Sequence, residues 1–532
     1  MESGQVAIAA LLLAIAALNA VASRLTIPYP IVLVVGGLVI GLLPGMPTVE
    51  LDPELVLFVF LPPLLYAGAF FADLPALRSD ARALSLTAIG LVLVTVAVVA
   101  VVGHEVLDLP WPMAFALGAI VSPTDPIAAT AIMRRLGVPR RIVNLVEGES
   151  LLNDAAALVA LRVAVTAAVA GSFSLAHAAL EFVVATAGGI AIGLAVGWSI
   201  RVVRRRIDDP LTSITVSLLT GYLAYVPAEA LDLSGVLAVV TAGIYLGWRS
   251  HELSAPSVRL QATAVWEVLT FLINATLFIL VGLQLPVVVD GLGEKPLAEL
   301  VADAAAVTFA VVAVRFAWAF SVPYLVRLVD RRPGQRARRV GAAPRVVIAW
   351  SGLRGGVSMA AALSLPLATD AGDPLPGREL IVFVTFVVVL VTVVGQGLTL
   401  PALARRLGVT AGDDGERQAE LRARLAVSKA VLAELEVIAE DDSPDAPPAE
   451  TVDRLRQRFE SRKRRDATRA GLYDDGRETD AVARTQVMRQ LLQAQRRTLI
   501  ELRNAGQISN EVMHLLEREL DIEEAQLDAG SN

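Results

Sequence analysis

The chain has 532 residues, 55% hydrophobic and only 19% charged, with no cysteine, four histidines and a net charge of −7. Its mean hydropathy of +0.61 is too high for one soluble core, because soluble domains are about 45–50% apolar and about 25% charged. A single soluble globular domain is therefore excluded, as are disulfides, thiolate metal sites and a cysteine nucleophile, and the scatter of His104, His177, His251 and His514 argues against a zinc site.

The apolar residues come in long runs. Leu84 to Val102 and Leu380 to Ala404 hold no charged residue, and such runs read as membrane-spanning helices. Stretches bounded by charge, Pro or Gly predict about 13 spans, near 5–23, 30–43, 54–72, 82–104, 112–134, 141–170, 176–200, 210–227, 232–248, 260–286, 300–326, 341–366 and 379–404. The first span follows Met1-Glu2-Ser3-Gly4, with neither a basic n-region nor a small-residue cleavage site, so it is expected to be a retained helix. Odd-numbered loops carry the arginines, such as Arg134, Arg135, Arg140 and Arg141, then Arg201, Arg204, Arg205 and Arg206. Even-numbered loops hold only Lys295 and Arg378 and are mostly acidic. By the positive-inside bias, the N-terminus is expected outside and the C-terminus in the cytoplasm.

Residues 1–406 carry 27 basic and 27 acidic groups, whereas 407–532 carry 19 and 26. The expected domains are a membrane domain, 1–406, and a soluble cytoplasmic tail, 407–532. An acidic tail argues against nucleic acid as a partner. Leu421, Leu425, Leu432 and Leu435, then Val452, Leu455 and Phe459, then Met488, Leu491, Leu492 and Leu499, recur at helical spacing. Asp441 to Pro448 is an acidic, Pro-rich linker, and Gly506 and Ser509 suit helix caps. A small helical bundle or coiled coil is expected there, with nothing catalytic.

Ionisable residues in hydrocarbon cost about 2.5–3.5 kcal/mol each on insertion scales, so each is a functional candidate. Three spans hold them near their middle: Ser122-Pro123-Thr124-Asp125-Pro126, Glu147-Gly148-Glu149-Ser150-Leu151-Leu152-Asn153-Asp154, and Ser351-Gly352-Leu353-Arg354-Gly355-Gly356. Asp125, Asp154 and Arg354 thus share a depth. Arg162, Glu267 and Arg315 stand alone in apolar sequence and read as structural. The prolines and glycines predict two interrupted spans. Unwound backbone at membrane depth lines cavities and can ligate cations; a simple loop or proline kink at 122–126 is the plainer alternative. Ser150 and Asp154, i and i+4, share one helix face and offer oxygens to a hard cation. Glu149 and Asn153 share another, from which Glu149 is placed to neutralise Arg354; a purely structural network of these charges stays open.

Together these residues resemble the sodium/proton exchanger type of monovalent cation:proton antiporter, including bacterial NhaP proteins. The signature is Glu147 to Asp154, joined by Phe60-Leu61-Pro62-Pro63-Leu64-Leu65-Tyr66, Thr124-Asp125-Pro126, Gly352 to Gly356, and Gln396-Gly397-Leu398-Thr399-Leu400-Pro401. The resemblance implies an all-α, 13-helix inverted-repeat fold, a homodimer among membrane lipids, and alternating access with no cofactor beyond the transported ions. It makes Asp154 the carrier of cation and proton. Asp125, Ser150 and the Thr124 backbone carbonyl assist, Asn153 is its neutral partner, and Glu149 and Arg354 form a structural ion pair. One departure is Ala67, where some relatives carry an acid nearby. The expected activity is electroneutral Na⁺ or Li⁺ exchange for H⁺ across the cytoplasmic membrane, K⁺/H⁺ exchange being the alternative. A channel, a membrane sensor and an enzyme are disfavoured: there is no repeated filter, no signalling motif in the tail and no nucleophile–base pair.

Overall fold

The computed structural model describes residues 2–25, 27–43, 53–72, 74–170, 175–207, 209–253, 256–284, 295–329, 341–409, 414–440 and 447–469, with short helical pieces between 488 and 524. In hydrocarbon every backbone N–H and C=O must be satisfied within its own segment, which favours helices. The helices are α1 (Glu2–Leu25), α2 (Tyr29–Gly41), α3 (Pro53–Phe70), α4 (Leu74–Glu105), α5 (Trp111–Val121), α6 (Pro126–Arg135), α7 (Arg140–Ala170), α8 (Leu175–Arg204), α9 (Pro210–Ala230) and α10 (Gly235–Trp248). They continue with the short α11 (Ser250–Leu253), α12 (Pro256–Leu283), α13 (Leu297–Val329), α14 (Ala342–Trp350), α15 (Gly356–Leu363), α16 (Arg378–Leu390) and α17 (Gly397–Arg406). Extended pairing among the described residues is limited to an isolated bridge, Ala368 to Pro374. Eight helical stretches are long and apolar enough to cross a membrane, and four further apolar helices are shorter, counting described residues only. The chain is a nearly all-helical, multi-pass membrane protein.

Two predicted spans are unwound in the middle. The span at 112–134 is α5 and α6, separated by Ser122 to Asp125; the span at 341–366 is α14 and α15, separated by Ser351 to Gly355. Pro126 occupies the first turn of α6, where its missing N–H costs nothing, and Asp125 caps that turn. This is more than a proline kink, because the chain crosses the gap without a helical turn. The span read as continuous at 379–404 also differs: a π-helical turn, Val391–Gln396, joins α16 to α17.

Small residues bring helices close where apolar surface alone gives no drive to associate. A Cβ at Gly37 of α2 would run into the Ile279 backbone of α12, and one at Gly282 of α12 into the Val34 backbone of α2. One large apolar cluster joins α1, α2, α4, α5, α7, α12, α13 and α16. A second joins α3, α8, α9, α10 and α12 through Tyr66, Val239 and Trp266. α7 contributes to both.

The chain divides into two compact units, Met1–Gly412 and Asp413–Asn532. In the second, α18 (Asp414–Ala439) packs on α19 (Ala449–Arg469), burying Leu435 and Val452. Leu455, of the same predicted stripe, stays 38% exposed. Further on, Leu492 is buried and Arg496 pairs with Glu524 at 2.7 Å. Gly506, Ser509 and the arginines from 331 to 339 lie outside the described residues.

Candidate ion-binding site

The two unwound segments meet each other. The Asp125 backbone N–H donates to the Leu353 carbonyl at 2.8 Å, tying one gap to the other. Four helix ends face this crossing, and charge is matched to each polarity. Asp125 Oδ1 accepts the Ile127 N–H at 2.8 Å at the start of α6. Arg354 Nε donates to the Val121 carbonyl at 3.0 Å at the end of α5, and its guanidinium also reaches the Gly352 carbonyl. The Arg354 backbone N–H is held at 3.1 Å by Thr392 Oγ1, on the π-helical turn. Gly355 is required here, since a Cβ would overlap the Asp125 carboxylate.

A cavity of about 310 Å³ opens beside the crossing. Thr124, Asp125, Ser150 and Asp154 all line it. Ser150 Oγ donates to the Thr124 carbonyl at 2.5 Å, joining α7 to the first gap. Thr124 Oγ1 is buried without a hydrogen-bond partner, and Asp125 and Asp154 are only partly covered. Two carboxylates, two hydroxyls and a carbonyl make an all-oxygen donor set, the kind a hard cation prefers. The part of the lining that comes from α3 is apolar: Leu61, Leu64, Leu65, Ala67 and Gly68. Ala67 faces the cavity, so an acid at that position would have joined the site, and here none does.

The remaining expected residues are placed differently. Asn153 is fully buried but absent from the cavity wall; its side-chain amide donates to the Ala88 carbonyl at 2.9 Å and the Glu149 carbonyl at 3.2 Å. It braces α7 against α4. The expected pairing of Glu149 with Arg354 is also corrected. Glu149 Oε1 receives Arg315 Nη1 at 2.7 Å, with both side chains under 10% exposed. Arg315 also donates to the Ile348 carbonyl near the end of α14, at 3.3 and 3.4 Å. The helical wheel correctly set Glu149 on a face away from Asp154, but the arginine there comes from the unbroken α13. Arg354, inside the gap, is spent on helix-end carbonyls. Arg162 pairs with Asp232 at 3.1 Å and Glu229 at 3.8 Å, whereas Glu267 is exposed on α12. The sequence reading missed Asn274 of α12 and Ser358 of α15, both buried and lining the cavity. Asn274 was detectable as a lone amide in an apolar run.

Residues 8–406 match the family "Sodium/hydrogen exchanger, transmembrane". The chain belongs to the sodium/hydrogen exchanger family. An uncharacterized Na⁺/H⁺ exchanger of Mycobacterium tuberculosis is 37% identical over 535 residues, covering 98% of this chain and 96% of that one. A sodium, potassium, lithium and rubidium/H⁺ antiporter of Bacillus subtilis is 32% identical over 405 residues, covering 74% and 60%. The sodium proton antiporter MjNhaP1 of Methanocaldococcus jannaschii superposes with a TM-score of 0.59 at 20% identity, over 76% of this chain and 98% of that one. That structural likeness shows a shared fold. Family membership accounts for the motifs from Phe60 to Pro401, and the cavity wall draws on four of the five.

Proposed function

We propose that the chain exchanges Na⁺ or Li⁺ for H⁺, one for one, across the cytoplasmic membrane by alternating access. The observation that carries this is the gathering of Asp154, Asp125, Ser150 and Thr124 on one cavity wall beside two crossed, unwound spans. Asp154 is the carrier, a carboxylate that takes either a proton or a cation. Asp125, Ser150 Oγ and Thr124 assist, the last with its carbonyl and its unpartnered hydroxyl. Asn153 supports α7, and Arg315, Glu149 and Arg354 hold the crossing. An empty, charged site reorients poorly through a low dielectric, so only loaded forms cross, and exchange follows.

In this reading the membrane domain is 1–406, with 13 spanning helices in inverted repeats, the N-terminus outside and the C-terminus in the cytoplasm. The cavity then opens toward the cytoplasm, past Arg134. The protein is a transporter, not an enzyme, works without a cofactor, and functions as a homodimer in pH and sodium homeostasis. Residues 407–532 form a regulatory tail. K⁺/H⁺ exchange is the second reading, favoured by the Bacillus relative's named range of ions and by a donor set that does not by itself select Na⁺.

Proteoliposomes with an internal pH dye, challenged in turn with Na⁺, Li⁺ and K⁺, test this. Cation-dependent proton movement is expected, strongest with Na⁺ or Li⁺. A response to K⁺ alone would favour the second reading, and no response to any cation would contradict exchange.

A further inference from the structure

Among the described residues, the cavity is lined by four charged side chains: Asp125, Asp154, Arg134 and Glu147. Exchange as proposed above uses only the first two. Arg134 Nη2 lies 2.6 Å from Glu147 Oε1, with side-chain exposures of 66% and 34%, so this pair marks the end of the cavity that water reaches. Asn144, Glu147, Ser150 and Asp154 form one polar stripe along α7. At 1.5 Å per residue, Glu147 sits about 10 Å out from Asp154. On the facing helix α6, Ile127, Thr130 and Arg134 line the same wall. The pair therefore bridges the two helices on the approach to the carrier. It is too exposed to add much stability, and it lies within about one Debye length of the site at 0.1 M salt.

We infer that the Arg134–Glu147 pair controls cation access: by keeping the mouth electrically neutral, it sets the apparent affinity for a monovalent cation. Resting on the exchange reading, this deepens it. Arg134 acts as a tethered cation that masks Glu147. Unmasked, Glu147 would concentrate cations at the mouth; without Glu147, Arg134 would repel them. Arg135, Arg140 and Arg141 lie on the adjoining turns but line none of the cavity, and give a constant background.

The test measures exchange at varied Na⁺ in proteoliposomes, with half-saturation also read from Na⁺-dependent thermal stabilisation, which needs no turnover. Arg134→Gln is expected to lower the Na⁺ KM about threefold to tenfold, and Glu147→Gln to raise it by a similar factor. kcat is expected to change less than about twofold in both. The charge-exchanged R134E/E147R variant is expected to move back toward the wild-type KM. About 0.5 M choline chloride is expected to shrink both shifts by screening. Shifts of the same sign, shifts untouched by choline, or no shift in either readout would overturn the proposal. Wild-type protein that moves no protons would instead overturn the exchange reading beneath it.

Discussion

Arg315 and Arg354 show how one residue type does two jobs within one site. Arg315 neutralises Glu149 through a buried pair, and Arg354 neutralises no carboxylate in the contacts described but satisfies the carbonyls at Val121 and Gly352. Breaking a buried pair leaves an uncompensated charge and costs about 3–5 kcal/mol. Arg315→Ala is therefore expected to lower the unfolding temperature in detergent sharply, and Glu149→Gln added to it to recover part of the loss. Arg354→Ala with Glu149→Gln is expected to recover less than the Arg315 pair, since the two make no direct contact and feel each other only at longer range. Recovery in the Arg354 pair and additivity in the Arg315 pair would reverse this assignment. Asp125, Asp154 and Arg354 were legible in the sequence because a charge in hydrocarbon is expensive and stands out. The partner of Glu149 was not legible. It depends on how α13 is rotated against α7, which packing decides and local sequence does not.

At the level of elements, the two interruptions were readable because Pro123, Pro126, Gly355 and Gly356 act locally on the backbone. The π-helical turn at Val391–Gln396 was not, because Val391-Thr392-Val393-Val394 reads as ordinary apolar helix and Gly395 and Gly397 do not by themselves distinguish a π turn from a continuous helix. Its purpose is visible only in three dimensions, where it presents Thr392 to the second gap. Thr392→Val is expected to leave the buried Arg354 N–H unpaired and cost about 1–3 kcal/mol of stability, measured by thermal unfolding; an unchanged midpoint would show that the contact is dispensable. Gly355→Ala tests the crossing more severely. A methyl group there displaces the Asp125 carboxylate, so exchange is expected to fall about tenfold or more with helicity unchanged by circular dichroism. Wild-type exchange in that variant would mean that Asp125 need not stay where the structure places it.

For the whole molecule, the described residues of the candidate site lie in one unit. The described cavity-lining residues fall between Leu61 and Ser358, in the unit Met1–Gly412, whereas the acidic tail forms its own helical hairpin. A truncation after Gly408 is expected to keep exchange while altering its pH dependence or the stability of the proposed dimer; a folded but inactive truncation would make the tail part of the transport machinery. The charge count gives a second whole-molecule prediction. In the proposed reading, α7 with Asn153 before Asp154 cycles one carboxylate against one cation, and no net charge moves. Each charge moved would be worth about 2.3 kcal/mol per 100 mV, so the transport equilibrium is expected not to shift under a valinomycin–K⁺ clamp, provided K⁺ is not a substrate.

The claim on which the rest depends is that Asp154 is the group that alternates between proton and cation. Asp154→Asn keeps the side chain's size and its place on the cavity wall but removes the titrating oxygen. The direct measurement is Na⁺-driven dye recovery in proteoliposomes holding equal amounts of wild-type and Asp154→Asn protein, with insertion checked by protease protection. The account predicts recovery in the wild type and none above protein-free vesicles in the variant. Recovery at the wild-type rate in the variant would contradict it.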